Sequence, residues 1–204
     1  MTHHYNFSIK TYSDLKSLFT SNENTQLIDL IENAISIDGF NLCTYYPARY
    51  HDAKKQALFN ELINRHKYEP TKREILITRF HPKQLPCVYS HKEHEDSTKM
   101  FEFIPNIFDY RPTKDRNIAE WHMNFANDDL FSFYQSSLLA QDELQVLECP
   151  QLASVREYLV EQPNIDKRFN THVIENNNPY PILISNIERV LELDTDNLYG
   201  KKQN

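Results

Sequence analysis

Two short runs hold the residue types from which a reactive site can be built, Asn124-Phe125-Ala126-Asn127 and, downstream, Gln141-Asp142-Glu143. The amides of Asn124 and Asn127 can donate to and accept from hydroxyl groups, which suits them to fixing a sugar. A carboxyl at Glu143, among apolar neighbours such as Leu139 and Leu147, is open to a raised pKa. A carboxyl that stays protonated near neutral pH can act as a general acid. The plain alternative is structural. Acids in a first helical turn stabilise the helix dipole by about 0.3–1 kcal/mol each and need do nothing else. Adjacent helical residues point about 100° apart, so Asp142 and Glu143 cannot act as a facing pair. One can touch a ligand while the other orients it or caps the helix.

The elements that must position these residues follow from hydrophobic period. Ala119, Trp121, Met123 and Phe125 alternate with Glu120, His122 and Asn124, which predicts a strand ending near Asn127. Open α/β sheets place ligands at such strand ends. Ala140, Leu144 and Leu147 repeat at i, i+4, i+7 and predict a helix that opens on the acidic pair. Pro150 suits the first turn of another helix, carrying Leu152, Val155 and Leu159. Upstream, residues 13–38 read as two helices. The second carries Leu27, Ile28, Leu30, Ile31, Ala34 and Ile35, and Gly39 stops it. A further helix runs from about His51 to His66 with Ala53, Ala57, Leu58, Leu62 and Ile63 on one stripe, which leaves Lys54, Lys55 and Arg65 as a solvated face. Ile75-Leu76-Ile77 is a short apolar run of the kind found in strands buried on both faces. Residues 81–117 are broken by Pro82, Pro86, Pro105 and Pro112, with a strand expected at Met100–Ile104. Asn176-Asn177-Asn178-Pro179 marks a turn or loop. Pro181-Ile182-Leu183-Ile184 starts a strand, which Val190–Leu193 continues or follows with another. Helices alternating with short buried strands give an α/β sandwich.

Composition narrows the function. The chain has 204 residues, enough for one domain with a helical appendage. Its net charge of −7 argues against binding nucleic acid by phosphate neutralisation, and against a polybasic membrane surface. No apolar run is long enough to span a bilayer, and no apolar leader follows Met1. Cys43, Cys87 and Cys149 are odd in number and widely spaced, as expected of reduced cytosolic thiols. None has a context that would activate it as a nucleophile. Glycine is the informative shortage: Gly39 and Gly200 are the only two. A Rossmann fingerprint, a Walker A loop and a nucleophile elbow all need glycines that this chain lacks. His81, Cys87, His91 and His94, with His122, have spacings seen in metal sites, but no closed four-ligand pattern is present. No metal or other cofactor is expected.

Glu143 stands sixteen residues after Asn127, and Pro150-x-Leu152 follows. In this order and spacing the two runs resemble the poly(ADP-ribose) glycohydrolase branch of the macrodomains. In that family a strand ends in an Asp-Phe-Ala-Asn motif, a glycine-rich diphosphate loop follows, and then a Gln-Glu-Glu motif. The resemblance implies a three-layer α/β/α macrodomain-like sheet over residues 71–204, truncated at its C-terminus, with residues 1–70 as an N-terminal helical segment. It matches Glu143 to the catalytic glutamate, Asp142 to the glutamate before it, and Asn127 to the ribose-contacting asparagine. Asn124, Phe125 and Gln141 would complete the substrate contacts, with Phe133 or Tyr134 packing over ribose or adenine. The implied activity is ADP-ribosyl hydrolysis: acid-assisted cleavage at the distal ribose through an oxocarbenium-like transition state. The partner would be ADP-ribose or an ADP-ribosylated protein, ubiquitin among the candidates. The location would be the cytoplasm, or a host cytosol reached as a bacterial effector.

The likeness covers about a fifth of the chain. It departs from the family at Asn124, where the family has Asp, and at Asp142, where it has Glu. It departs most at Phe131-Ser132-Phe133, where the family has three glycines against the diphosphate. These departures favour two other classes: a module that binds ADP-ribose without cleaving it, and a protein-interaction surface with no nucleotide site.

Overall fold

The computed structural model describes residues 34–70, 72–80, 122–124, 127–161 and 170–193. Within them helices combine with two antiparallel sheets, a mixed α/β arrangement. In chain order the elements are β1 (Ala34–Asp38), α1 (Gly39–Tyr45), α2 (Ala53–His66), β2 (Glu74–Arg79), α3 (Gln141–Glu148), α4 (Gln151–Glu161), β3 (Ile174–Glu175), β4 (Asn178–Pro179) and β5 (Ile182–Ser185).

The main sheet has the order β1-β2-β5, both pairs antiparallel. Its register explains its inner face. Ile35 lies opposite Ile77, Ile37 opposite Ile75, and Ile77 opposite Ile184. Because strand side chains alternate between faces, these isoleucines form one apolar surface. It packs against Leu42 of α1, Val146 and Leu147 of α3, and Leu152, Val155 and Leu159 of α4. Leu76 and Thr78, on the opposite face of β2, are buried as well. The central strand is therefore covered on both sides, as the unbroken run Ile75-Leu76-Ile77 predicts.

The structure corrects the end of the second expected helix, whose residues 27–33 lie outside the described residues. Ala34 and Ile35 lie in β1, and Gly39 opens α1 instead of stopping a helix. Ala34-Ile35-Ser36-Ile37-Asp38 alternates at period two, and pairing with the buried β2 outweighs the helical spacing of Ala34 and Ile35. Asp38 then caps α1 by accepting from the Asn41 N–H at 2.9 Å. The Gly39 N–H donates to the Arg73 carbonyl, also at 2.9 Å.

Helix α2 lies where expected but shows another face to the core. Asp52 caps it, accepting from the Lys54 and Lys55 N–H groups at 3.0 Å each. Leu58 and Ile63 are exposed, whereas Lys55 and Leu62 are buried and Phe59 is half-buried against the core. Lys55 is thus not on a solvated face.

At the other end, β3 and β4 form a hairpin through Asn176 and Asn177, both with positive φ (52° and 62°). Asparagine tolerates that conformation better than most residues, and two in succession make the type I′ turn that fits hairpin twist. The Arg79 guanidinium ties the hairpin to β2: it contacts Glu175 at 2.7 Å, hydrogen-bonds Asn170 and lies over the Tyr180 ring. Residues 190–193 form no strand. Val190 N–H instead donates to the Glu148 carbonyl, and Leu193 N–H to the Glu148 carboxylate, both at 2.8 Å.

Among the described residues, His122–Asn124 and Asn127 belong to no strand, so the strand expected to end near Asn127 is not seen there. Trp121, Phe125, Ala126, the expected strand at 100–104 and the first expected helix lie outside the described residues, as do His81, Cys87, His91 and His94. Cys43 and Cys149 are free thiols. No helix among the described residues is long and apolar enough to cross a membrane.

Candidate functional site

The candidate site is built from the loop between Asp128 and Ala140, the start of α3, and the start of α2. The loop enters under tension that its anchors contain. Leu130 N–H donates to the Thr171 carbonyl and Val173 N–H to the Asp128 carbonyl, at 2.8 Å each. Arg156 pairs with Asp129 at 2.8 Å and hydrogen-bonds the Leu130 carbonyl. Phe131 follows with φ of 52°, a conformation costly for a bulky side chain. Burial of its ring, which is 3 % exposed, offsets that cost. Here phenylalanine occupies the left-handed backbone position that a glycine would take without strain.

Successive turns carry the chain on to Tyr134 and Gln135, where α2 grips it. The N–H groups of His51 and Asp52 both donate to the Gln135 carbonyl at 3.1 Å. The Lys55 ammonium donates to the Tyr134 carbonyl at 3.1 Å. Tyr134 itself is a core residue, stacked edge-on against Tyr50. Its hydroxyl donates to Glu157 at 2.6 Å and accepts from the Arg49 N–H at 3.1 Å. Burial and the Glu157 carboxylate push that phenol up to about 12. Enclosed in this way, Tyr134 holds the loop; its ring has no open face for a ribose or adenine. Phe133, 44 % exposed, is the aromatic that stays on the surface.

At the loop's far end Ala140 caps α3. Alanine has no side-chain acceptor, so the exposed N–H groups of the first turn receive no cap from it. Glu143 makes the reverse half of a capping box, its Oε2 accepting from the Ala140 N–H at 2.8 Å. The residue is 1 % exposed, and Oε1 has no hydrogen-bond partner. Burial is the largest influence on its acidity, followed by the neighbouring Asp142 carboxyl; the Ala140 N–H opposes both. Together they raise Glu143 to about 7. A carboxyl in this state can give or take a proton near neutral pH.

The two runs singled out in the sequence come together in part. Asn124 Nδ2 donates to Gln145 of α3 at 2.7 Å, and Gln141 Nε2 reaches the Met123 carbonyl at 3.4 Å. Asn124 Oδ1 is buried without a partner. Asn127 is exposed, and its Oδ1 accepts from the next N–H, that of Asp128, at 2.6 Å. No hydrogen bond joins Asn127 to Glu143. Asp142 is half-buried at the helix start, and Phe125 lies outside the described residues.

Lys55 is the residue that sequence reasoning missed. It is 2 % exposed, and burial pulls its ammonium below the usual lysine range while Glu143, Asp52 and Asp142, in that order, oppose the fall. The signal was available: Lys55, Phe59 and Leu62 stand at i, i+4, i+7 and form the stripe that the core accepts. Among the described residues no group of three or more His, Cys, Asp or Glu could hold a metal ion. Comparison of the chain with protein-family models, curated proteins and solved structures found no match.

Proposed function

We propose that the chain is an ADP-ribosyl glycohydrolase of the macrodomain type, with Glu143 as its acid. The observation that carries this reading is the state of that carboxyl: buried, fixed through one oxygen, unpartnered at the other, and raised to about 7. A group so poised protonates the oxygen or nitrogen that leaves C1″ of the distal ribose. The C1″ bond then breaks with the electron pair going to the leaving group, and the oxocarbenium-like sugar is taken by water. That water's proton returns to Glu143. Asp142 orients the acid or the ligand. Asn124, Asn127 and Gln141 hold ribose hydroxyls, and Phe133 covers the ligand from the surface. The substrate would be an ADP-ribosylated protein, ubiquitin among the candidates, met in the cytoplasm or in a host cytosol after delivery as an effector.

A second reading is favoured by the loop at Phe131. Two phenylalanines stand where the resembled family offers glycine backbone to a diphosphate, and Asn124 already binds Gln145. Such a chain would bind ADP-ribose without turning it over. Isothermal calorimetry with ADP-ribose, followed by an assay for ADP-ribose released from a modified protein, separates the two. Under the first reading wild type binds and releases, and Glu143→Gln binds without release. Binding with no release in either protein supports the second reading, and absence of binding removes both.

A further inference from the structure

After β5 the chain bends at Asn186, which has a φ of 66° and is tied to the sheet by its Nδ2, donating to the Glu74 carbonyl at 2.7 Å. Residues 187–193 then cross the turn between α3 and α4 with no helix or strand of their own. Their hold on that turn is concentrated on two side chains. One oxygen of the Glu148 carboxylate accepts from Arg189 Nε and the other from the Leu193 N–H, both at 2.8 Å. The Glu148 carbonyl accepts from the Val190 N–H at 2.8 Å, and Gln151 Oε1 accepts from the Glu188 N–H at 2.9 Å. Ile187 and Leu193 add partly buried apolar contact. Between the gripped residues Glu148 and Gln151 stands Cys149, half-buried as a residue. Burial pushes its thiol up to about 12, the Glu148 carboxylate adding to the rise and Arg189 opposing it.

We propose that residues 187–193 are a strap that opens as a unit about Asn186 while the sheet and helices stay folded, and that it gates the Cys149 thiol. Glu148 is the clasp, since three of the bonds above converge on it. A segment held by a few side-chain bonds and little apolar burial opens at a lower free energy than a paired strand. The adjoining β5 is such a strand, with four residues in register with β2. Asn186 suits the hinge, because asparagine tolerates the left-handed backbone and its side chain stays anchored at Glu74. Closed, the strap keeps the Cys149 sulfur covered and protonated. Open, it removes the enclosure that raises the thiol, which then reacts as an ordinary cysteine. The gate stands independently of the glycohydrolase reading.

The test combines amide hydrogen exchange with alkylation by iodoacetamide, in which the thiolate sulfur displaces iodide. Peptide mass spectrometry reads Cys149 separately from Cys43 and Cys87. In wild type the amides of Glu188, Val190 and Leu193 should exchange through one common opening, faster than the amides of β2 and with a weaker dependence on urea. Alkylation of Cys149 should show that same opening. In Glu148→Gln, which keeps the shape of the clasp and gives up its charge, strap exchange and Cys149 alkylation should rise together by roughly 10- to 100-fold, the loss of a hydrogen bond to a charged group. Strap amides that exchange no faster than those of β2 would overturn the inference, because the strap would then open only with the whole fold. So would a Cys149 that alkylates at the rate of an unfolded chain in wild type, or one whose rate Glu148→Gln leaves unchanged. Should Glu148→Gln fail to fold, the wild-type urea series decides alone.

Discussion

Replacing Tyr134 by Phe removes one oxygen and leaves the packed ring, so the change isolates the hydrogen bonds at the loop's centre. Three are lost: to Glu157 at 2.6 Å, from the Arg49 N–H at 3.1 Å, and from Gln135 at 3.2 Å. The first involves a carboxylate, and such bonds contribute about 1.5–3 kcal/mol. Glu157 is not left bare, because Gln135 still reaches it at 3.2 Å and Arg49 at 3.6 Å. The Arg49 N–H is only partly enclosed and can recover water. The expected cost is therefore about 2–3 kcal/mol, less than the sum of three separate losses. Urea unfolding followed by circular dichroism measures it. With a slope of about 1–3 kcal/mol/M for a small protein, the midpoint should fall by roughly 1 M at an unchanged slope. A loss below about 0.5 kcal/mol would mean that the hydroxyl is solvated in solution and that Tyr134 does not clamp the loop.

Three further changes probe the neighbouring parts. Glu143 is raised in the folded protein from its ordinary 4.5 to about 7, so the folded state holds this proton more tightly than the unfolded one. Its stabilising contribution is complete below about 4.5 and is lost as pH rises through 7; the melting temperature of wild type relative to Glu143→Gln should fall over that window, and a constant difference would contradict the burial argument. Asp52→Ala removes the α2 cap and should cost about 1 kcal/mol in urea unfolding, with no change refuting the cap. Phe131→Gly relieves about 1–2 kcal/mol of backbone strain but forfeits about 3–5 kcal/mol of ring burial. It should be net destabilising by about 2–3 kcal/mol, and a stabilised variant would show that strain dominates that loop.

Local patterns with one dominant period were legible before any coordinates. Ile75-Leu76-Ile77, the helix opening at Gln141 and the helix carrying Leu152, Val155 and Leu159 all appear as expected, because an unbroken apolar run fits a strand buried on both faces and each helical stripe admits one buried face. Ala34–Asp38 was misread because five residues fit either period, and the partner strand β2, forty residues on, decides between them. The α2 face was misread for a related reason. Treating lysine as solvated discards the stripe through Lys55, Phe59 and Leu62, and only a buried carbonyl at Tyr134 together with acidic neighbours makes that stripe acceptable. Sheet direction was not legible at all: strand order depends on which segments cross, and no residue pattern within β1, β2 or β5 records it. In the site, the first-turn position of Glu143 could be read from spacing, whereas the engagement of Asn124 by Gln145 could not.

Under the glycohydrolase reading, Glu143 holds a proton near neutrality and delivers it to a leaving group. The most direct test of that reading is kcat/KM for release of ADP-ribose from an ADP-ribosylated protein, measured from pH 5 to pH 9 for wild type and Glu143→Gln. The expected result is a wild-type rate that falls as pH passes about 7, the value to which Glu143 is raised, with no turnover in the variant. A wild-type rate that climbs through pH 7, or one that Glu143→Gln leaves unchanged, would contradict it.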